Sequence, residues 1–164
     1  MAVEIVAAAS DARLREARAL FEEYAEWIGI DLEYQGFAKE LAELPGRYAP
    51  PSGRLLLALV DGEAAGCVAL RRLDVETAEV KRLFVRARGR ERGVGRALME
   101  ALLREARAAG YARVRLDTLP SMTSARTIYA AMGFREIAPY YPSPVEGTTF
   151  LELPLANERG SASR

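Results

Sequence analysis

The chain has 164 residues, half of them hydrophobic, and its 23 basic and 23 acidic side chains give a formal net charge of zero. That is enough apolar material for one substantial core, and the basic residues, nearly all arginine, are too scattered to make nucleic acid a leading partner. The absence of histidine removes the commonest metal ligand and the usual general base, and Cys67 is the only cysteine, so zinc chemistry, Ser-His-Asp hydrolysis and internal disulfides all drop out.

The N-terminal stretch carries Glu4 where a signal peptide would be basic, and no apolar run approaches the roughly twenty residues of a membrane span. The expectation is a cytoplasmic chain with no membrane association. VEIVAA reads as a first strand. Ser10 then caps a helix whose apolar positions Leu14, Ala17, Phe21, Tyr24 and Ile28 keep helical spacing, and a shorter helix covers Phe37 to Leu44. GRYAPPSG breaks regular structure. RLLLALV and AAGCVALRRL flank Asp61-Gly62, a dipeptide that supplies the positive backbone angles of a tight hairpin, and ETAEVKRLFV adds a further strand.

Beyond RARGR, the residues Val94, Ala97, Leu98, Ala101 and Leu102 form one apolar stripe of a helix that Gly110 ends. ARVRLDTL is strand-like, TSARTIYAAM is helical with Gly133 just past its end, FREI is short and extended, and TTFLELPL closes the sheet. This order predicts a mixed sheet with helices on both faces, built as a single domain over residues 1–156, with 157–164 as a frayed tail. Cys67, inside an apolar strand, reads as buried filler.

The stretch RERGVGRALME places two glycines among arginines at the mouth of a helix. Helix N-terminal amides lack intrahelical acceptors and carry the positive end of the dipole, so an anion fits there. Gly93 and Gly95 keep no side chain between a ligand and the backbone, and Arg90, Arg92 and Arg96 add charge, which suits a diphosphate. No Gly-Lys-Ser/Thr follows, which excludes the phosphate-cradling nucleotide loop, and Leu98 stands where a dinucleotide fingerprint needs a third glycine.

What remains is Arg-x-x-Gly-x-Gly from Arg90 to Gly95, and with it the chain resembles the GNAT family of N-acetyltransferases. Leu83-Phe84-Val85 matches the strand motif before the loop, and Ala125, Tyr129 and Gly133-Phe134 match the later helix signature, so the resemblance covers nearly the whole chain. It implies an α/β (α+β) fold with a mixed, mostly antiparallel sheet of about seven strands. It further implies acetyl-CoA as cofactor, with a loop of Arg90, Glu91, Arg92, Gly93, Val94, Gly95, Arg96 and Ala97 whose unpaired main-chain donors grip the pyrophosphate. Leu83, Phe84 and Val85 lie beside the pantetheine arm, with the amides of Leu83 and Val85 pairing with it. Two positions depart from the family pattern: Glu91 replaces a frequent glycine, and Met122 replaces an asparagine that often assists cofactor binding.

The resemblance assigns Tyr129 as the acid that protonates the leaving thiolate, for which a pKa of about 10 is suited, although its helical face also reads as core. Glu79 is the nearest candidate base, acting directly or through water, with a solvated strand-edge charge as the plainer alternative. Strict alternation puts Glu79, Lys81, Leu83 and Val85 on one side of the strand and Val80, Arg82 and Phe84 on the other, unless a bulge reverses it. Arg71 and Arg82 suit recognition of an acceptor carboxylate, or ion pairs with neighbouring acids. The aromatic loops WIGIDLEYQGF and PYYPSPVEGTTF offer Tyr34, Phe37, Tyr140 and Tyr141 as pocket walls, with Glu33 attracting an ammonium.

These features predict an N-acetyltransferase that moves an acetyl group to a primary amine of a small molecule or peptide by direct attack in a ternary complex, with no metal. A non-catalytic acyl-CoA-binding sensor is the competing reading, motivated by the missing asparagine and the uncertain base. The family often forms homodimers, but no heptad seam argues for one here.

Overall fold

The computed structural model describes residues 2–90 and 92–155. Glu91 and the tail expected at 157–164 lie outside the described residues. A seven-stranded sheet runs in the order β1-β2-β3-β4-β5-β7-β6, and every pairing is antiparallel except that between β4 and β5. The strands are β1 (Val3–Ala7), β2 (Arg54–Val60), β3 (Glu63–Arg72), β4 (Thr77–Val85), β5 (Arg113–Thr118), β6 (Arg135–Ile137) and β7 (Thr149–Pro154). The helices are α1 (Asp11–Ile28), α2 (Phe37–Glu43), α3 (Val94–Ala108) and α4 (Thr123–Met132).

Local chemistry sets these boundaries. The Ser10 hydroxyl accepts from the Arg13 amide at 3.2 Å, satisfying one orphan donor of α1, and Gly29 closes that helix at φ 66°. α1 buries Ala17, Leu20, Phe21 and Tyr24, while Leu14 and Ile28, at the margins of the predicted stripe, are only partly covered. Asp61 and Gly62 both take positive φ, 51° and 87°, the geometry of a two-residue hairpin turn whose twist matches its strands. β2 reads as an unbroken apolar run because both of its faces are covered: Leu56 and Ala58 face α3, and Leu55, Leu57 and Leu59 face α1.

One core lies between the sheet and α3–α4, centred on Leu98, Met99, Leu102 and Leu116; the other lies under α1, centred on Leu20, Phe21 and Leu57. Leu98 and Leu102 are wholly buried, so truncating either to alanine costs about 2–5 kcal/mol.

β4 departs from strict alternation. Ala69 of β3 faces Lys81 and Cys67 faces Phe84, so two residues of β4, Arg82 and Leu83, stand opposite one on β3, and Arg82 takes φ 64°. This bulge corrects the predicted facing: Glu79, Lys81, Arg82 and Phe84 lie on the α1–α2 side, whereas Val80, Leu83 and Val85 pack with the α3–α4 core. Cys67 is fully buried beneath the bulge, and its thiol donates to the Arg82 carbonyl at 3.3 Å.

Candidate active site

β4 and β5 run in register only over Thr77–Arg113, Ala78–Val114 and Glu79–Arg115. Beyond Glu79 the strands part, although β4 continues to Val85 and β5 to Thr118. A parallel pair that splays leaves main-chain donors and acceptors without a neighbouring strand, and such groups seek partners. Two features that share Leu83 border the gap.

The outer feature is a groove of about 160 Å³ walled by Trp27, Leu83, Phe84, Val85, Arg90, Gly95, Ser124, Ala125 and Ile128. It ends against the start of α3. The first intrahelical bond there runs from the Ala97 amide to the Gly93 carbonyl at 2.9 Å, so the amides of Gly93, Val94, Gly95 and Arg96 precede any acceptor the helix supplies, and no side chain caps them. The amides of Arg90 and Arg92 are spent on the carbonyls of Ala87 and Gly89. Among the described residues, the donors expected from Arg90 to Ala97 are thereby narrowed to the turn of Gly93 through Arg96.

The two glycines have separate reasons to be glycine. Gly93 sits at φ 75°, and a Cβ on Gly95 would come 3.0 Å from Ile128 Cδ1 and 3.7 Å from Val85 Cγ2, inside the groove. A side chain at residue 95 would project into this groove, which leads to the uncapped amides of α3. Arg90 leans over the mouth, with its Nε on the Val85 carbonyl at 3.0 Å and its guanidinium 6.0 Å from the centre of the Trp27 ring. Arg96 is exposed and pairs with Glu100 at 3.2 Å.

The inner feature is a cleft of about 20 Å³ lined by Tyr24, Val80, Lys81, Arg82, Leu83, Asp117, Met122 and Tyr129. Tyr129 packs its ring 5.5 Å from that of Phe134 and is 5% exposed, so it is both core and cleft lining. Among the described residues its hydroxyl has no hydrogen-bond partner, and burial, with smaller contributions from Tyr24 and Asp117, raises its pKa, which keeps the phenol protonated.

The charged residues around the cleft form a network. Arg82 grips Glu40 with two bonds of 2.9 Å and donates to Gln35 Oε1 at 2.7 Å. Arg71 Nε donates to Glu79 Oε1 at 2.8 Å, and Tyr140 donates to Glu79 Oε2 at 2.6 Å. Burial pushes the Glu79 carboxyl up, but the charges of Lys81 and Arg71 and the bonds from Tyr140 and Arg71 outweigh it, holding the pKa below the usual value. Tyr141 donates to Asp117, and both tyrosines pack edge-on against Phe150.

Arg71, Arg82, Glu79, Tyr140 and Tyr141 are thus brought together, with Arg71 and Arg82 each already paired to an acid. Glu33 and Tyr34 lie on the short turn Leu32–Gln35: Tyr34 joins the same group, its hydroxyl accepting from Gln35 at 3.0 Å and lying near Tyr141, whereas a Glu33 oxygen is spent on the Ala38 amide at 2.8 Å. Lys81 and Asp117 line the cleft, and Gln35 and Glu40 bond to its cations, yet none of the four carries a motif. Their only sequence signal is a charge or amide near the strands and aromatic loops that the fold converges.

The Acetyltransferase (GNAT) family matches residues 14–134. An uncharacterized N-acetyltransferase of Dictyostelium discoideum is 30% identical, covering 94% of this chain and 100% of its own. The IAA acetyltransferase of Azospirillum brasilense is 36% identical, covering 83% of this chain and 88% of its own. The PaiA N-acetyltransferase of Thermoplasma acidophilum, solved in complex with coenzyme A, shares the fold with a TM-score of 0.74 at 19% identity, over 94% of this chain and 99% of that one. No helix among the described residues is long and apolar enough to cross a membrane. With its parted β4 and β5, its glycine turn at α3 and a family match over most of its length, the chain belongs to the GNAT acetyltransferase family.

Proposed function

We propose that the protein is an acetyl-CoA-dependent N-acetyltransferase acting on a primary amine of a small molecule or peptide by direct attack in a ternary complex. The observation that carries this reading is the parting of β4 from β5 beside the uncapped amides of α3, with Tyr129 lining the cleft. The amides of Gly93 to Arg96 and the side chain of Arg90 hold the diphosphate, and Leu83, Phe84 and Val85 line the path of the pantetheine arm. When bound, acetyl-CoA supplies an activated acetyl thioester.

Tyr129 acts as the general acid. Its phenol stays protonated and, among the described residues, has no competing partner; burial makes it a weaker acid, so it gives its proton only as negative charge develops on the sulfur and the carbon–sulfur bond breaks. Glu79 draws the amine's proton out through water. With both oxygens engaged and its pKa held low, it is a weak direct base, but it supplies negative charge next to the cleft. No cysteine or histidine stands in the cleft to form an acetyl-enzyme, in keeping with direct attack. An amine panel with acetyl-CoA and free-thiol detection tests the proposal. Turnover that is lost in Tyr129→Phe with coenzyme A affinity retained supports it, and binding of acetyl-CoA with no turnover of any amine favours the sensor reading.

A further inference from the structure

Three cations and three carboxylates meet around the inner cleft, and four of these six groups are matched. Arg82 pairs with Glu40 and Arg71 with Glu79. Lys81 and Asp117 are the two left over. Lys81 is 6% exposed and donates to the neutral amide oxygen of Gln35 at 2.9 Å; among the described residues no carboxylate lies within ion-pair distance of it. Among the described residues, Asp117 receives only the neutral hydroxyl of Tyr141. The two line one cleft, Lys81 from β4 and Asp117 from β5, together with Tyr129 of α4.

Lys81 has only a neutral hydrogen-bond partner, Glu79 and Asp117 act on it from beyond ion-pair contact, and an anion arriving in the cleft gives the buried ammonium a direct charged partner. The Asp117 carboxylate does the same for a cation. We propose that Lys81 and Asp117 form a receptor for a zwitterion, Asp117 taking the acceptor's ammonium and Lys81 its carboxylate, so that the acceptor is a free α-amino acid. The proposal rests on the N-acetyltransferase reading and narrows its substrate class.

The dimensions select the α position. Lys81 and Asp117 line the same small cleft, so a carboxylate that meets Lys81 while its amine meets Asp117 is attached close to the reacting nitrogen, not at the far end of a long side chain. A peptide N-terminus has no such carboxylate, because its α-carboxyl is an amide. Arg71 and Arg82 are removed from this task by Glu79 and Glu40, and serve to hold the β4 bulge and its neighbours in place.

The test uses matched pairs of acceptors, each α-amino acid against the amine left by removing its carboxylate, with acetyl-CoA and the full chain. The wild type prefers the amino acid in kcat/KM by roughly tenfold to a hundredfold, the worth of one charge-assisted hydrogen bond. Lys81→Met brings that ratio to near one, with the change in KM, while Lys81→Arg keeps a preference. A wild type indifferent to the carboxylate, or a preference that survives in Lys81→Met, overturns the proposal. If no amine of any kind is acetylated, the N-acetyltransferase reading fails instead. Calorimetric titration of the amino acids into wild type and Lys81→Met then reads the receptor on its own, heat in the former alone supporting it and equal heats overturning it.

Discussion

Replacing Gly95 by alanine separates ligand binding from folding. The new methyl comes 3.0 Å from Ile128 Cδ1, a contact relieved by a few tenths of an ångström at the tip of one side chain. Shifting that side chain off its rotamer costs about 0.5–1.5 kcal/mol, and alanine returns up to about 1 kcal/mol over glycine within a helix. Net stability therefore changes by about 1 kcal/mol at most, a shift of roughly 2–4 °C in melting temperature for a chain of this size. The effect on coenzyme A is larger. The methyl enters the groove of about 160 Å³ between Val85 and Ile128 and pushes an extended ligand away from the α3 amides. Losing one hydrogen bond to a charged group is worth about 1.5–3 kcal/mol, or roughly tenfold to a hundredfold in Kd. Calorimetric titration with coenzyme A beside differential scanning of the two proteins measures both quantities. Unchanged affinity in a folded Gly95→Ala would refute the placement of the ligand in this groove.

Tyr129→Phe lowers kcat by about a hundredfold to ten-thousandfold while the Kd for coenzyme A holds, as steady-state kinetics and calorimetry will read; equal kcat removes the general-acid role. Glu40→Ala leaves the nearly inaccessible Arg82 guanidinium without its carboxylate and costs about 3–5 kcal/mol in urea unfolding, a cost that Arg82→Met in the same chain largely removes. Glu79 has its folded pKa below the ordinary 4.5, so its contribution to stability is fully present above that pH and is lost as pH falls through the folded value. Glu79→Gln accordingly flattens the acid limb of the stability curve, whereas identical acid limbs in the two proteins contradict the assignment.

Most of the fold was legible because its signals are local. Ser10 caps α1, Asp61-Gly62 turns the hairpin, and Gly110 and Gly133 follow helix ends at φ 93° and 96°, each readable from a few neighbouring residues. The β4 bulge was not, because Arg82 adopts φ 64° with no glycine or asparagine to announce it; the irregularity is set by how β4 pairs with β3. That one extra residue decides which side chains enter the cleft. The glycine turn was found, although the need for Gly95 comes as much from Ile128, 33 positions away in the chain, as from a ligand. The inner cleft was the least legible part. Gln35, Glu40, Lys81 and Asp117 come from a short turn, α2, β4 and β5: the crossing from β4 through α3 to β5 sets Lys81 and Asp117 in one cleft, and the turn and α2 reach it through bonds to Lys81 and Arg82.

A crystal structure of the protein with coenzyme A tests the central claim most directly. The account predicts the diphosphate within about 3.2 Å of the amides between Gly93 and Arg96, and the pantetheine arm between β4 and β5 along Leu83 to Val85, with its thiol towards Tyr129. Coenzyme A lodged elsewhere, for instance in the groove of about 400 Å³ that Ile5, Tyr48, Arg54 and Arg104 help to line, with the gap between β4 and β5 left to the protein's own side chains, would contradict it.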